Sequence, residues 1–436
     1  TVFTTSDTVG EDAIHSSSTM ILPVNLRPAE TLKLFVDVDG SEITALLADV
    51  NATLTDDVLR TFNAAATDTD DVTITSSEVD ESTVASTLSV TTSEARALKQ
   101  AYLAAVNDTT ADATAEANFK TVLQTSATAG SNLALQLSPQ EDGIVGSTKA
   151  TQAMTGTVQG IVANRMASLR SGDAYVAGMT AGNGMTANSG FIQAFGSSVE
   201  QGNVKTSSSG ALAYGYDAET QGVAIGFDGV TENGSTIGIS ASYSDTDVTG
   251  LGTGQAKNNV DSYTVSVYAD KATDSGYVEG SLTFGTNANK GSRKVTTDGF
   301  SRNYSSKYNS QQVSMNIAAG SPSEISDGTF VTPFISGTGT IVSTDSYTET
   351  SDTTADALRL STTQADHTSI VGSLGVKAHK VTDSGTPMIS LAINNEFGDQ
   401  EINTTNTYTG GGTAFKTDSD VVDLTATLGL GYSFGN

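Results

Sequence analysis

The chain has no cysteine and no tryptophan in 436 residues, only six prolines, and 21 Lys plus Arg against 49 Asp plus Glu. Without cysteine there is no disulfide, thiol nucleophile or thiolate metal site. The formal net charge of -28 leaves no basic patch for phosphates, so nucleic acid is excluded as a partner. Such acidity suits a self-repelling surface in an extracellular or saline setting. No run of about 18 apolar residues offers a transmembrane helix. No signal peptide opens the chain, and the abrupt start TVFTTSDTVG reads as the middle of something longer. The three histidines, His15, His367 and His379, have neither triad nor metal-ligand spacing. No nucleophile elbow, phosphate loop or zinc-helix motif is present. Asp37-Val38-Asp39-Gly40-Ser41-Glu42 lacks the twelve-residue calcium frame and reads as a simple turn. The expectation is therefore no enzyme, no metal and no cofactor. An apolar fraction of 37% is low, so any large sheet must show much of its side-chain surface to water.

The length leaves room for two or three domains. Residues 1–90 are rich in Thr, Ser, Asp and Val. Strand-like pieces fall at Thr19–Val24, Thr31–Val38, Val72–Thr75 and Thr83–Val90, with a helical stretch near Ile43–Phe62. Short strands between polar turns fit a small β-rich module or the last coils of a solenoid. Residues 91–143 read as helical, from Ser93-Glu94 to Val106 and again over Ala113–Thr125. Residues 144–187 hold a further helix over Ile144–Leu169 and its connection onward. Its apolar residues include Val158, Ile161, Val162, Met166 and Leu169. Its other face is small and polar, including Ser147, Thr148, Thr151, Thr155, Gly156 and Gly160. That face suits a wet, narrow cavity.

From residue 188 onward the period is two. In VVDLTATLGLGYSFGN every even residue from Val422 to Phe434 is apolar. Similar alternation recurs around Val223–Phe227, Ile237–Tyr243, Tyr263–Ala269, Val278–Phe284, Ile370–Ala378 and Ile389–Phe397. About ten strands are predicted, near 189–197, 220–228, 235–246, 259–270, 276–286, 309–319, 329–342, 367–380, 387–398 and 419–434. Strands of this length, joined by alternating short turns and long polar loops, indicate a transmembrane antiparallel β-barrel. The long loops are expected around 245–259, 287–307, 343–365 and 398–418. Outward-parity Phe227, Tyr432 and Phe434 fall at the short-turn end. Outward-parity Tyr243, Tyr263, Phe284 and Phe397 fall at the long-loop end, as two aromatic girdles would. Asp270, Glu279, Glu396 and Asp423 have inward parity, so Arg165, on the helix, is expected to pair with one or more of them, with Arg170 nearby. Two other functions compete: a diffusion pore, and a secreted β-rich adhesion or surface-layer protein.

Helix, then barrel, then a terminal aromatic strand resembles the translocator unit of autotransporters, the type V secretion family. The phrases that carry the likeness are LQLSPQ at 135–140, Val162-Ala163-Asn164-Arg165-Met166, Phe191–Gly196, and Gly215–Gly222 leading into VAIGFDG. The resemblance covers about residues 130–436. It implies an outer-membrane protein of a Gram-negative cell that exports and displays its own N-terminal passenger. The helix would lie in the lumen, and residues before about 143 at the cell surface. Expected partners are outer-membrane lipid, the barrel-assembly machinery and the passenger, with a monomeric barrel. The family has about twelve strands, so ten suggest a chain ending before a last hairpin. Alternatively, Gly429, Tyr432 and Phe434 serve as the assembly signal. The helix lacks the Asn-Asn pair with which some members cut themselves.

Overall fold

The computed structural model describes residues 31–35, 56–66, 71–107, 127–138, 141–171, 185–205, 212–252, 256–297, 300–353, 356–382 and 385–433, with residues 47, 51 and 54 besides. Ten long strands form one antiparallel meander: β1 (Met185–Gln201), β2 (Tyr216–Thr231), β3 (Ser235–Gly250), β4 (Lys257–Thr273), β5 (Gly276–Thr297), β6 (Phe300–Gly320), β7 (Thr329–Thr344), β8 (His367–Lys380), β9 (Thr386–Glu396) and β10 (Leu424–Ser433). Each strand pairs with the next in sequence. Among the described residues β1 and β10 are not paired with each other, so the sheet is a curled half-barrel with two free edges.

The predicted alternation places apolar residues on the convex face, where they stay uncovered. Ile239 is 50% exposed, Phe284 51%, Ile335 58% and Leu391 58%. A soluble sandwich would bury one such face in a core, and soluble monomers rarely expose so much apolar surface in one piece. A continuous belt of Val, Ile, Leu and Phe is stable only against lipid. Its height follows from the strands. On β5 it runs from Val278 to Phe284, seven residues, or about 23 Å along a strand, close to the apolar band of outer-membrane barrels. Tyr243 and Tyr263 close the belt at the long-loop side, their rings 5.1 Å apart. Leu391→Arg, mid-belt on β9, is expected to destabilise the folded sheet in detergent or lipid by ~2–4 kcal/mol. A urea-unfolding midpoint for the purified chain checks this, with Ser390→Arg on the opposite face as the milder control.

Beyond the belt the structure departs from the sequence reading. Residues 287–307 are not a loop. β5 and β6 continue in unbroken register from Tyr277↔Gly320 to Thr297↔Phe300. This hairpin projects about 40 Å past Phe284 along the strands. The other long connections also hold strands. Tyr347–Thr348, Leu360–Gln364, Glu401–Tyr408 and Phe415–Asp420 make a separate four-stranded sheet on that side.

Among the described residues four helices precede the sheet: α1 (Glu81–Leu88), α2 (Thr92–Asn107), α3 (Ala127–Leu137) and α4 (Glu141–Ser171). Thr83–Val90, expected as a strand, is largely α1. Asp80 caps its start by accepting a hydrogen bond from the Ser82 backbone N–H, and Val84 and Leu88 bury one face. α2 opens on a reciprocal capping box between Thr91 and Glu94. Strands Thr31–Phe35, Arg60–Ala66 and Asp71–Glu78 form a three-stranded sheet before the helices. The first and third overlap expected strands. Arg60–Ala66, by contrast, ends the stretch expected to be helical. Thr19–Val24, the helix at Ala113–Thr125, and Phe434, Gly435 and Asn436 lie outside the described residues.

Candidate functional site

The concave face of the sheet is polar and holds α4. Thirty-one residues make a helix of about 46 Å, longer than a bilayer's hydrocarbon core of about 30 Å. No helix among the described residues is long and apolar enough to cross a membrane itself. α4 is polar because its surroundings are. Hydroxyl ladders line the wall between neighbouring strands: Ser242 with Thr264, Ser266 with Thr283, and Ser314 with Thr340. The helix joins this lining directly. Thr155 Oγ1 donates to Gln312 Oε1 at 2.7 Å, and Gln159 Nε2 donates to Ser314 Oγ at 3.0 Å. Ser147 Oγ and Thr148 Oγ1 in turn accept from Asn258 Nδ2 and Gln364 Nε2.

The apolar helix residues Val158, Ile161, Val162, Met166 and Leu169 are all buried. Val162 and Met166 pack on Tyr268, whose ring lies across Gly238 of the adjoining strand. A Cβ at Gly238 would overlap the phenol, so glycine makes the groove in which this ring lies. Toward the long-loop side, Ile144, Val145 and Ala150 enter a small apolar core with Tyr216, Val248, Ile402 and Val421.

From Gly143 to Ser171 the helix carries three cations, Lys149, Arg165 and Arg170, and no carboxylate. Each meets a carboxylate of the wall. Arg165 forks onto Asp228, with Nε to Oδ2 at 2.8 Å and Nη2 to Oδ1 at 3.0 Å. Asp228 also accepts from Ser189 Oγ at 2.7 Å and from Tyr268 OH at 3.0 Å, and Arg165 stacks over Phe191. Arg170 donates to Asp270 and, at 3.1 Å from each Nη, to Glu279 Oε2, while its guanidinium lies 3.8 Å from the Tyr277 ring centre. Lys149 Nζ lies 3.6 Å from Glu396 Oε2. Glu396 also accepts from Ser369 Oγ and from the Ile370 and Gly398 backbone N–H groups.

Arg165 therefore meets Asp228 rather than Asp270, Glu279, Glu396 or Asp423. Asp270 and Glu279 go to Arg170. Asp423 is exposed, and its carbonyl accepts the Glu396 N–H. Asp228 was the missed partner, although its parity, opposite to Val223, Ile225 and Phe227, points it inward. Gly429 and Tyr432 lie on β10 opposite Ser390 and Pro387, and Phe434 lies outside the described residues. His367 is buried, and His379 stacks on Phe330. Among the described residues no group of His, Asp and Glu is arranged to hold a metal ion.

A family model for the autotransporter beta-domain matches residues 190–436, more than half of the chain. Similar solved structures include the translocator domain of autotransporter NalP from Neisseria meningitidis, at 16% identity and TM-score 0.43, covering 66% of this chain and 97% of that one. The beta domain of the Bordetella autotransporter Brka is 18% identical with TM-score 0.39, covering 57% of this chain and 99% of that one. The transport unit of autotransporter AIDA-I from Escherichia coli is 15% identical with TM-score 0.30, covering 64% and 98%. No curated protein matches the chain. The chain belongs to the autotransporter family, and its β-domain is an outer-membrane translocator for an N-terminal passenger.

Proposed function

We propose that α4 is the segment at which export stops, moored in the lumen by its three cations, with everything before about residue 143 outside the cell. One observation carries this reading: Lys149, Arg165 and Arg170, spread along the helix, each pair with carboxylates on the concave wall. A fork of charge-assisted hydrogen bonds fixes rotation as well as depth. A chain without these cations at this spacing would slide past the same wall. The convex belt supports outer-membrane lipid as the surrounding solvent. Insertion by the barrel-assembly machinery, reading β10 with Gly429, Tyr432 and Phe434, belongs to the same proposal. Helix and wall come from one polypeptide, which supports a monomeric unit. β-domains of this family are not enzymes, so any catalysis would reside in the passenger.

The diffusion-pore alternative needs an empty lumen, whereas α4 and its partners occupy this one. The secreted adhesion alternative leaves the apolar belt uncovered. Planar-bilayer recording of the full chain tests the mooring. Double substitution Arg165→Ala with Arg170→Ala is expected to raise open-channel conductance and lower the temperature at which the folded band disappears in gel-shift assays. Unchanged values for both would contradict the mooring.

A further inference from the structure

The hairpin of β5 and β6 and the small outer sheet form one apolar core with helices that precede α4. Val295, Phe300 and Tyr304 of the hairpin join Leu358, Leu360, Tyr408 and Phe415 of the outer sheet and its approaches. The helices contribute Leu88, Leu98, Tyr102, Leu133 and Leu137, nearly all fully buried. Polar contacts fasten the edges. Tyr408 OH donates to Leu137 O at 2.7 Å, and Arg293 Nη1 donates to Gln136 O at 3.2 Å, so two carbonyls left over at the α3 C-terminus are satisfied by the sheet side. The Thr296 N–H donates to Gln136 Oε1 at 2.5 Å. Gln100 Oε1 accepts from both the N–H and the Oγ1 of Thr413 at 3.0 Å, and Arg96 donates to Lys416 O.

Arg293 lies at the centre of this contact. Burial works against its charge, but the Glu349 carboxylate beside it prevails and raises its pKa. Below it, between the first turn of α4 and the hairpin, lies a cavity of about 40 Å³, lined by Ile144, Asn258, Arg293, Tyr308 and Glu349. That is room for one or a few waters. Burial holds the Tyr308 phenol up at about 12, so it is neutral there.

We propose that the outer loops are a docking surface whose occupant is this same chain's own residues 57–66, 71–107 and 127–137, and that the docked module is a second closure of the pore, above and separate from α4. This rests on the outward orientation assigned under the proposed function. A segment that lies next to α4 is held at the mouth by the barrel's own loops. Release of any passenger upstream of residue 57 would leave it in place. The mouth then stays shut by burial of apolar surface, while the lumen is held by ion pairs.

The absence of native cysteine makes a direct test available. The full chain carrying Gln100→Cys, Thr413→Cys and Leu98→Asp is reconstituted in planar bilayers. Leu98→Asp places a charge in the shared core and is expected to make openings about tenfold more frequent or more. Joining the two cysteines with a short reducible thiol cross-linker is expected to return the channel to native quiet, and reduction to reopen it. If Leu98→Asp conducts as rarely as the native chain, or if openings persist unchanged when cross-linked, the second closure is refuted. Failure of the α4 mooring would look different: Arg165→Ala with Arg170→Ala would leave conductance and heat stability unchanged, whatever Leu98→Asp does. Retention of the heat-modifiable folded band in each variant confirms that the barrel is intact.

Discussion

Asp228→Ala is expected to be among the most damaging substitutions in the lumen, at about 3–5 kcal/mol. The Asp228 side chain is fully buried and accepts from four donor atoms, on Arg165, Ser189 and Tyr268. Its removal leaves the guanidinium with Ser189 as its remaining hydrogen-bond partner, beside the buried Tyr268. A surface ion pair would cost far less, because water would replace the lost partner. Two milder variants set the scale. Asp228→Asn keeps an acceptor and loses the charge, so it falls between. Tyr268→Phe removes one donor of four and should cost about 1 kcal/mol. Urea-unfolding midpoints of the three full-length variants in one detergent give the order. Tyr268→Phe equal to or worse than Asp228→Ala would mean that packing, not charge, sets the site.

Arg293→Ala should act on the outer module to a similar extent and leave the lumen intact. The guanidinium makes a two-point contact with Glu349, at 2.9 and 2.6 Å, donates to two backbone carbonyls and lies 4.2 Å from the Tyr304 ring centre. Both partners of the ion pair are almost wholly buried. Truncation leaves Glu349 charged in an apolar core, and about 3–5 kcal/mol is the expected loss. Glu349 keeps the Leu360 N–H at 2.8 Å, which offsets part of it. Arg293→Lys retains the charge but not the planar fork, and an intermediate loss is expected. The readout is hydrogen exchange in α3 compared with α4. Exchange should quicken across Ala127–Leu137 and stay slow over Val158–Leu169. Equal quickening of both helices would show that module and lumen unfold as one unit.

The belt of the sheet was legible because lipid on one side and a wet lumen on the other impose a strict period of two. Above Phe284 that asymmetry disappears. In SRNYSSKYNS both faces of β6 are largely polar, so the alternation that identifies a strand is lost although the backbone pairing continues. Thr83–Val90 was misread from its β-branched residues. Asp80 as a cap, with Val84 and Leu88 four apart, was the stronger signal, and tertiary burial overrode propensity. α3 falls inside the 91–143 stretch that reads as helical, but LALQL is too short to show its bounds. The partner of Arg165 depends on how far the strands are staggered and how α4 is rotated. Neither is written in local sequence: Asp228 lies 63 residues away in the chain. Asp423 failed for a related reason. It precedes β10 at an exposed position, so inward parity there buries nothing.

The central claim is an orientation: short turns inside, long loops and the preceding helices outside, with the ten-stranded sheet in the outer membrane. A chain without cysteine permits single-site labelling on intact cells with a membrane-impermeant maleimide. Asn233→Cys sits in the β2–β3 turn and Thr413→Cys in the outer loops, both exposed. The account predicts that Thr413→Cys labels on intact cells and that Asn233→Cys labels only after the outer membrane is permeabilised. Labelling of Asn233→Cys on intact cells would contradict it.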